Sequence, residues 1–218
     1  MKYTFSILTL VFSLFSFSQN GGQGIKRPKL GIHDLKLGVN LVRPGRTLLG
    51  SGKDTYEGEA ALGVNGWNYV FDFGTEKNER SGGYTYENKG SFFRLGVDRN
   101  FVQNPGKGNV LALGLRYARA GFEDQLTYSL DNGFGDQQID LSNANLKARW
   151  FELNFTLRGK IVSQLYTGFT LRWKFSRKVS GEDTLQAFDI PGFGNTKREN
   201  ATSFDYYVMW RIPLRKEK

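Results

Sequence analysis

The chain contains no cysteine and one histidine, His33. Without cysteine there is no disulfide scaffold, no thiolate metal site and no lipid-modified cysteine. A single imidazole excludes any multi-histidine metal site. Beyond the extreme N-terminus, no run approaches the roughly 18 apolar residues that a membrane helix needs. No segment of comparable strength repeats at 3.6 residues, so no helix is expected in the mature chain. What the 218 residues do contain is 27 Gly, 18 Phe, 10 Tyr and 4 Trp, with a formal charge of +9 and a mean hydropathy of −0.45. That length suits one domain, and 15% aromatics argue against disorder.

Met1-Lys2 opens the chain with positive charge, and the apolar stretch Phe5–Phe15 follows. Ser16 and Ser18 supply small residues before Gln19. This is the layout of a cleaved signal peptide, residues 1–18. The alternative, an N-terminal anchor, suffers from the shortness of the apolar stretch and its serines. Residues 19–28, rich in Gly and polar side chains, are expected to form a loose periplasmic tail.

From there the sequence alternates with period two. Leu35–Leu41, Tyr56–Val64, Trp67–Phe73, Phe93–Val97, Leu111–Tyr117, Phe151–Leu157, Leu165–Phe175 and Phe204–Leu214 each carry apolar residues at alternate positions. Alternation places one greasy and one polar face on each strand. The fold expected is all-β, an eight-stranded antiparallel up-and-down transmembrane barrel over residues 29–214, followed by a charged tail at 215–218. In such a barrel the greasy face meets lipid and the polar face lines the lumen; in a secreted soluble barrel, the main alternative, the faces exchange roles.

Three features favour the membrane. Several series have the length of a tilted membrane strand. Charge sits mid-strand beside Gly96, Gly114 and Gly168, as a narrow lumen requires. Aromatics gather near the ends of the series, at Tyr117, Trp173, Phe175, Phe204 and Tyr206, as interfacial girdles do. The connectors, estimated at 43–54, Asn65-Gly66, 74–89, 100–108, 119–147, 159–163 and 177–201, roughly alternate long and short. Eight strands with both termini in the periplasm produce that order.

The mature chain resembles the small OmpA/OmpX-like outer-membrane barrels. More narrowly, it resembles an uncharacterised family of such barrels from Bacteroidota. Glu57-Gly-Glu59 through Gly66-Trp67, Trp150-Phe-Glu152, Tyr166-Thr-Gly168 to Arg172-Trp-Lys174 and Phe204-Asp-Tyr-Tyr to Arg211-Ile-Pro-Leu214 carry this likeness. It implies a fold and an outer-membrane location, with no activity. Barrels of this class usually end on an aromatic residue, whereas this chain ends Leu214-Arg-Lys-Glu-Lys218.

The inward charges Glu57, Glu59, Arg94, Arg116, Glu152, Arg172 and Lys174 are the candidate site. They serve either as a salt-bridged structural plug or as a proton or ion path; an eight-stranded barrel is just wide enough to be filled by its own side chains, and both signs are present for pairing. No catalytic group, metal or cofactor is expected. His33 precedes the first strand at the periplasmic end, far from where outer-rim enzymes work. Glu123, Asp124, Asp131, Asp136 and Asp140 offer oxygen ligands for calcium in the 119–147 connector, without EF-hand spacing. Asp183-Thr184-Leu185 matches a short O-glycosylation pattern. Basic residues are dispersed among acids, so no nucleic-acid partner is expected. The partners expected are outer-membrane lipid and other envelope proteins. A small outer-membrane enzyme or ligand binder using the outer loops, and a secreted barrel holding an apolar ligand, are the competing functions.

Overall fold

The computed structural model describes residues 31–48, 52–102, 108–131 and 136–214. The signal segment 1–18, the tail 19–28 and the charged end 215–218 lie outside the described residues. The barrel strands are β1 (Ile32–Asn40), β2 (Lys53–Val64), β3 (Trp67–Ser81), β4 (Tyr84–Asn100), β5 (Val110–Asp131), β6 (Asp136–Val162), β7 (Leu165–Ser180) and β10 (Ala201–Pro213). Between β7 and β10 lies a two-stranded ribbon, β8 (Asp189–Ile190) and β9 (Gly194–Asn195). Each barrel strand pairs antiparallel with its chain neighbours, and β1 pairs with β10 to close the cylinder. Closure removes the two sheet edges that would otherwise be left unpaired.

The alternation is realised strand by strand. Leu95, Leu113, Leu115, Phe151, Leu153, Leu171, Trp173 and Trp210 point outward and are exposed, whereas Arg94, Arg116, Glu152 and Arg172 point inward and are buried. Space inside is short. A β-carbon on Gly96 would run into Arg116, and one on Gly114 into the Asp98 carboxylate. Both positions therefore stay side-chain-free so that their charged neighbours fit. At the β2–β3 connection, Asn65 (φ 49°) and Gly66 (φ 80°) both take the left-handed region, as a two-residue Asn-Gly hairpin demands.

The structure corrects two expectations. First, there is a helix. Val42–Leu48 forms the short α1. The Asn40 side chain accepts from the Val42 amide at 3.0 Å, satisfying one of the amides that the first helical turn leaves unpaired. Seven residues are too few to display a helical period. Second, the connectors 74–89 and 119–147 are mostly strand. β3 and β4 meet across Gly82-Gly83, and β5 and β6 run for 22 and 27 residues, far beyond the 9–11 that span a bilayer. The longest connector is 181–200. It stands at the same end as α1, the Gly82-Gly83 turn and the β5–β6 turn, an end called here the mouth. The start of β1, the end of β10, and the connections from β2 to β3, β4 to β5 and β6 to β7 mark the base.

Candidate functional site

The site is the lumen, built in layers from base to mouth. At the base Asp34 is buried and holds Lys36 at 2.8 Å and Arg211 at 2.7 Å. Above it Arg158 grips Glu59 with two guanidinium nitrogens, at 2.7 and 2.8 Å. Arg116 bridges Asp72 at 2.6 Å and Asp98 at 3.0 Å. The central layer turns on Arg172, whose Nε donates to Asp205 at 2.8 Å while its terminal nitrogens reach Asp72, Glu152 and Glu57. Arg94 closes the layer, 2.8 Å from Glu57 and 2.9 Å from Glu152. The Tyr207 hydroxyl bonds Glu57 and accepts from Arg172.

All seven residues singled out in the sequence lie inside and buried. Glu57, Glu59, Arg94, Arg116, Glu152 and Arg172 share the pairing just described, joining strands far apart in the chain. Lys174 belongs to a different layer. Its Nζ donates to the Gly192 and Phe193 carbonyls, at 2.7 and 3.1 Å, and so fastens the 181–200 connector to the wall. Sequence reasoning left out Asp72, Asp98, Arg158, Asp205 and Tyr207, although each alternates with the apolar residues of its own strand. It also missed Arg43, which enters from α1 to meet Glu57 and Asp205, both at 3.0 Å. Nothing periodic surrounds Arg43 to reveal it.

Above the charges the filling changes. Inward Phe92, Ala118, Ala120, Phe122, Leu146, Ala148 and Trp150 form an apolar wall, and Ala187, Ile190 and Phe193 of the 181–200 connector press into it. The two fillings are stitched together at their border. Arg94 lies 4.5 Å over the Phe92 ring, and Trp150 Nε1 donates to Glu152 at 2.8 Å. On the opposite side of the mouth Asp189 accepts from Asn78 at 2.6 Å and from Lys53 at 3.1 Å. Burial, together with nearby Glu76, raises its carboxyl above the ordinary range against the pull of Lys53.

The remaining candidates are scattered. His33 lies in β1 at the base, where its carbonyl accepts from the Leu214 amide at 3.0 Å. The acids proposed for calcium sit on a hairpin instead of a loop. Asp124 is buried and bonds Asn143 at 3.0 Å, whereas Asp140 accepts from Thr127 at 2.7 Å on the exposed side. Asp131 and Asp136 fall at the turn, and their side chains lie outside the described residues. Thr184 is exposed, and its hydroxyl donates to the Ser142 carbonyl at 2.8 Å.

Arg94, Arg116 and Glu152 are each 0% exposed, so their charges are held out of contact with water. Charges taken that far from water persist only when paired and hydrogen-bonded, and here each of them is.

Among solved structures, CarO2 of Acinetobacter baumannii aligns over 84% of this chain and 100% of its own, at 11% identity and a TM-score of 0.39. CarO of the same organism aligns over 81% and 96%, at 12% identity and a TM-score of 0.37. Among curated proteins none matches. A family-wide sequence profile, Domain of unknown function (DUF6048), matches residues 1–217. The chain therefore belongs to the DUF6048 family.

Proposed function

We propose that this protein is an exported outer-membrane barrel with a closed lumen, serving a structural or interaction role, such as an accessory subunit of an envelope complex. It is non-enzymatic in this reading, and it meets its partners through the wall and the mouth.

The observation that carries the proposal is the inversion of polarity across the wall. Tyr56 is 60% exposed, Trp210 55% and Leu115 51%, whereas the charged residues fill the interior. A soluble protein rarely exposes contiguous apolar surface on that scale. Lipid asks for an apolar outside, and a narrow barrel tolerates a polar inside. The aromatic pairs Tyr117–Phe151 and Phe169–Phe204, with ring centroids 5.5 and 5.6 Å apart, suit an interfacial girdle. The buried central layer argues for a plug over an ion path, so the lumen charges serve closure and register.

Membrane fractions from cells producing the full chain test this reading. An intact barrel migrates faster on an SDS gel before boiling than after it. Recovery solely in the soluble periplasmic fraction, without that shift, would refute it. Cross-linking in native membranes then identifies what the wall and mouth contact.

A further inference from the structure

Three neighbouring strands carry a row of outward cations. Arg119 on β5 lies opposite Arg149 on β6, and Arg149 lies opposite Lys178 on β7. All three are exposed, as is Lys147, the next outward residue on β6. Like charges directly opposite each other destabilise a sheet. No ion pair joins these four to a carboxylate among the described residues. On these strands the nearest outward acid, Glu123, stands opposite Lys89 instead. Along the same row, β3 and β4 present Phe73 and Phe93, so the charge is confined to one sector.

The row beneath consists of aromatics. Tyr117 lies opposite Phe151, and Phe151 opposite Phe175, with ring centroids 5.5 and 6.3 Å apart. Successive outward residues on a strand are about 7 Å apart. The cations therefore begin where the aromatic girdle ends, on the mouth side. In the membrane reading on which this inference rests, that depth is the head-group layer of the outer leaflet. A guanidinium fork matches phosphate oxygens two at a time. An anion shared by Arg119, Arg149 and Lys178 also turns their mutual repulsion into a binding site.

We propose that the Arg119–Arg149–Lys178 row is a docking site for the phosphate group of an outer-leaflet glycolipid, whose acyl chains lie on Leu115, Leu153 and Leu171 below.

The test uses the full chain in detergent micelles, titrated with monophosphorylated lipid A and with the same lipid lacking its phosphate, and read by native mass spectrometry. Charge-assisted bonds of this kind are expected to favour the phosphorylated lipid by on the order of tenfold or more. The triple variant Arg119→Gln, Arg149→Gln, Lys178→Gln should lose that preference, while Lys160→Gln at the base keeps it. Equal binding of the two lipids by the unsubstituted chain overturns the proposal without any variant having to fold. So does a preference that survives in a triple variant still showing the heat-dependent gel shift. Displacement of the lipid by excess inorganic phosphate overturns the assignment to lipid. Failure of the membrane reading looks different: the chain then stays soluble without detergent and does not enter vesicles.

Discussion

The lower and upper parts of the lumen are filled by different means. Near the base and centre, Glu57, Glu59, Asp72, Glu152 and Asp205 are matched by Arg43, Arg94, Arg116, Arg158 and Arg172, contributed by α1 and by strands on all sides of the barrel. Towards the mouth, one connector folds back and lays Ala187, Ile190 and Phe193 on an apolar wall. The charged filling holds the cylinder itself together, because each guanidinium ties strands that meet only when the barrel is in register. A single strand slipped by one residue would carry its charges to the outer face. The apolar filling is a lid on the cylinder: its ribbon, β8 and β9, forms a separate two-stranded sheet and contributes no strand to the closed barrel.

The largest effect is expected at Arg172. Truncating Arg172→Ala leaves Glu57, Asp72, Glu152 and Asp205 short of positive charge in a buried interior. Breaking a buried pair costs about 3–5 kcal/mol, and here several are broken together. Urea unfolding in micelles should lose at least that much, with a barrel that reaches its heat-shiftable form in lower yield. An unchanged midpoint would mean that water reaches this layer.

A smaller and more local effect is expected at Phe193. Phe193→Ala removes a buried ring packed against Trp150, with centroids 5.6 Å apart, at a cost of roughly 3 kcal/mol. The loss should fall on the connector. Protease should cut within 181–200 while the unboiled barrel keeps its mobility. A global loss as large as that at Arg172 would erase the distinction between lid and cylinder.

The smallest effect is expected at Asp189, and it depends on pH. Its carboxyl is raised by burial, so the folded protein holds this proton more tightly than the unfolded chain does. The stabilisation linked to it is complete below the unfolded value of about 3.9 and is lost as pH rises through the raised folded value. Asp189→Asn should flatten that dependence. Relative to the unsubstituted protein, the variant should gain stability from pH 4 towards neutrality in urea titrations. A gap moving the other way would show that Lys53 outweighs burial.

How far the sequence discloses all this follows the same division. Alternation works where one face is greasy and the other polar, so Leu95 outside Arg94 and Phe151 outside Glu152 declare both the strand and the lumen. Above the aromatic girdle the outward face turns polar too. Thr75, Lys77 and Glu79 alternate with Glu76 and Asn78, period two has nothing to contrast, and strands there read as loops. Hydrogen bonding continues regardless, because the ladder does not require an amphipathic pattern. The lid is hidden for another reason. Ile190 and Phe193 show no period, and their receptor is visible only once Phe92 and Trp150 are seen to share the inward parity of Arg94 and Glu152. Arg43 needs α1 to aim it, and α1 is too short to announce itself.

The central claim is that the barrel is closed by its own side chains, and planar-bilayer recording tests it most directly. The purified full chain should insert without producing steady conductance. A stable, ohmic current through the unsubstituted protein would contradict the claim, showing that a water-filled path crosses the layer of Arg94, Arg116 and Glu152.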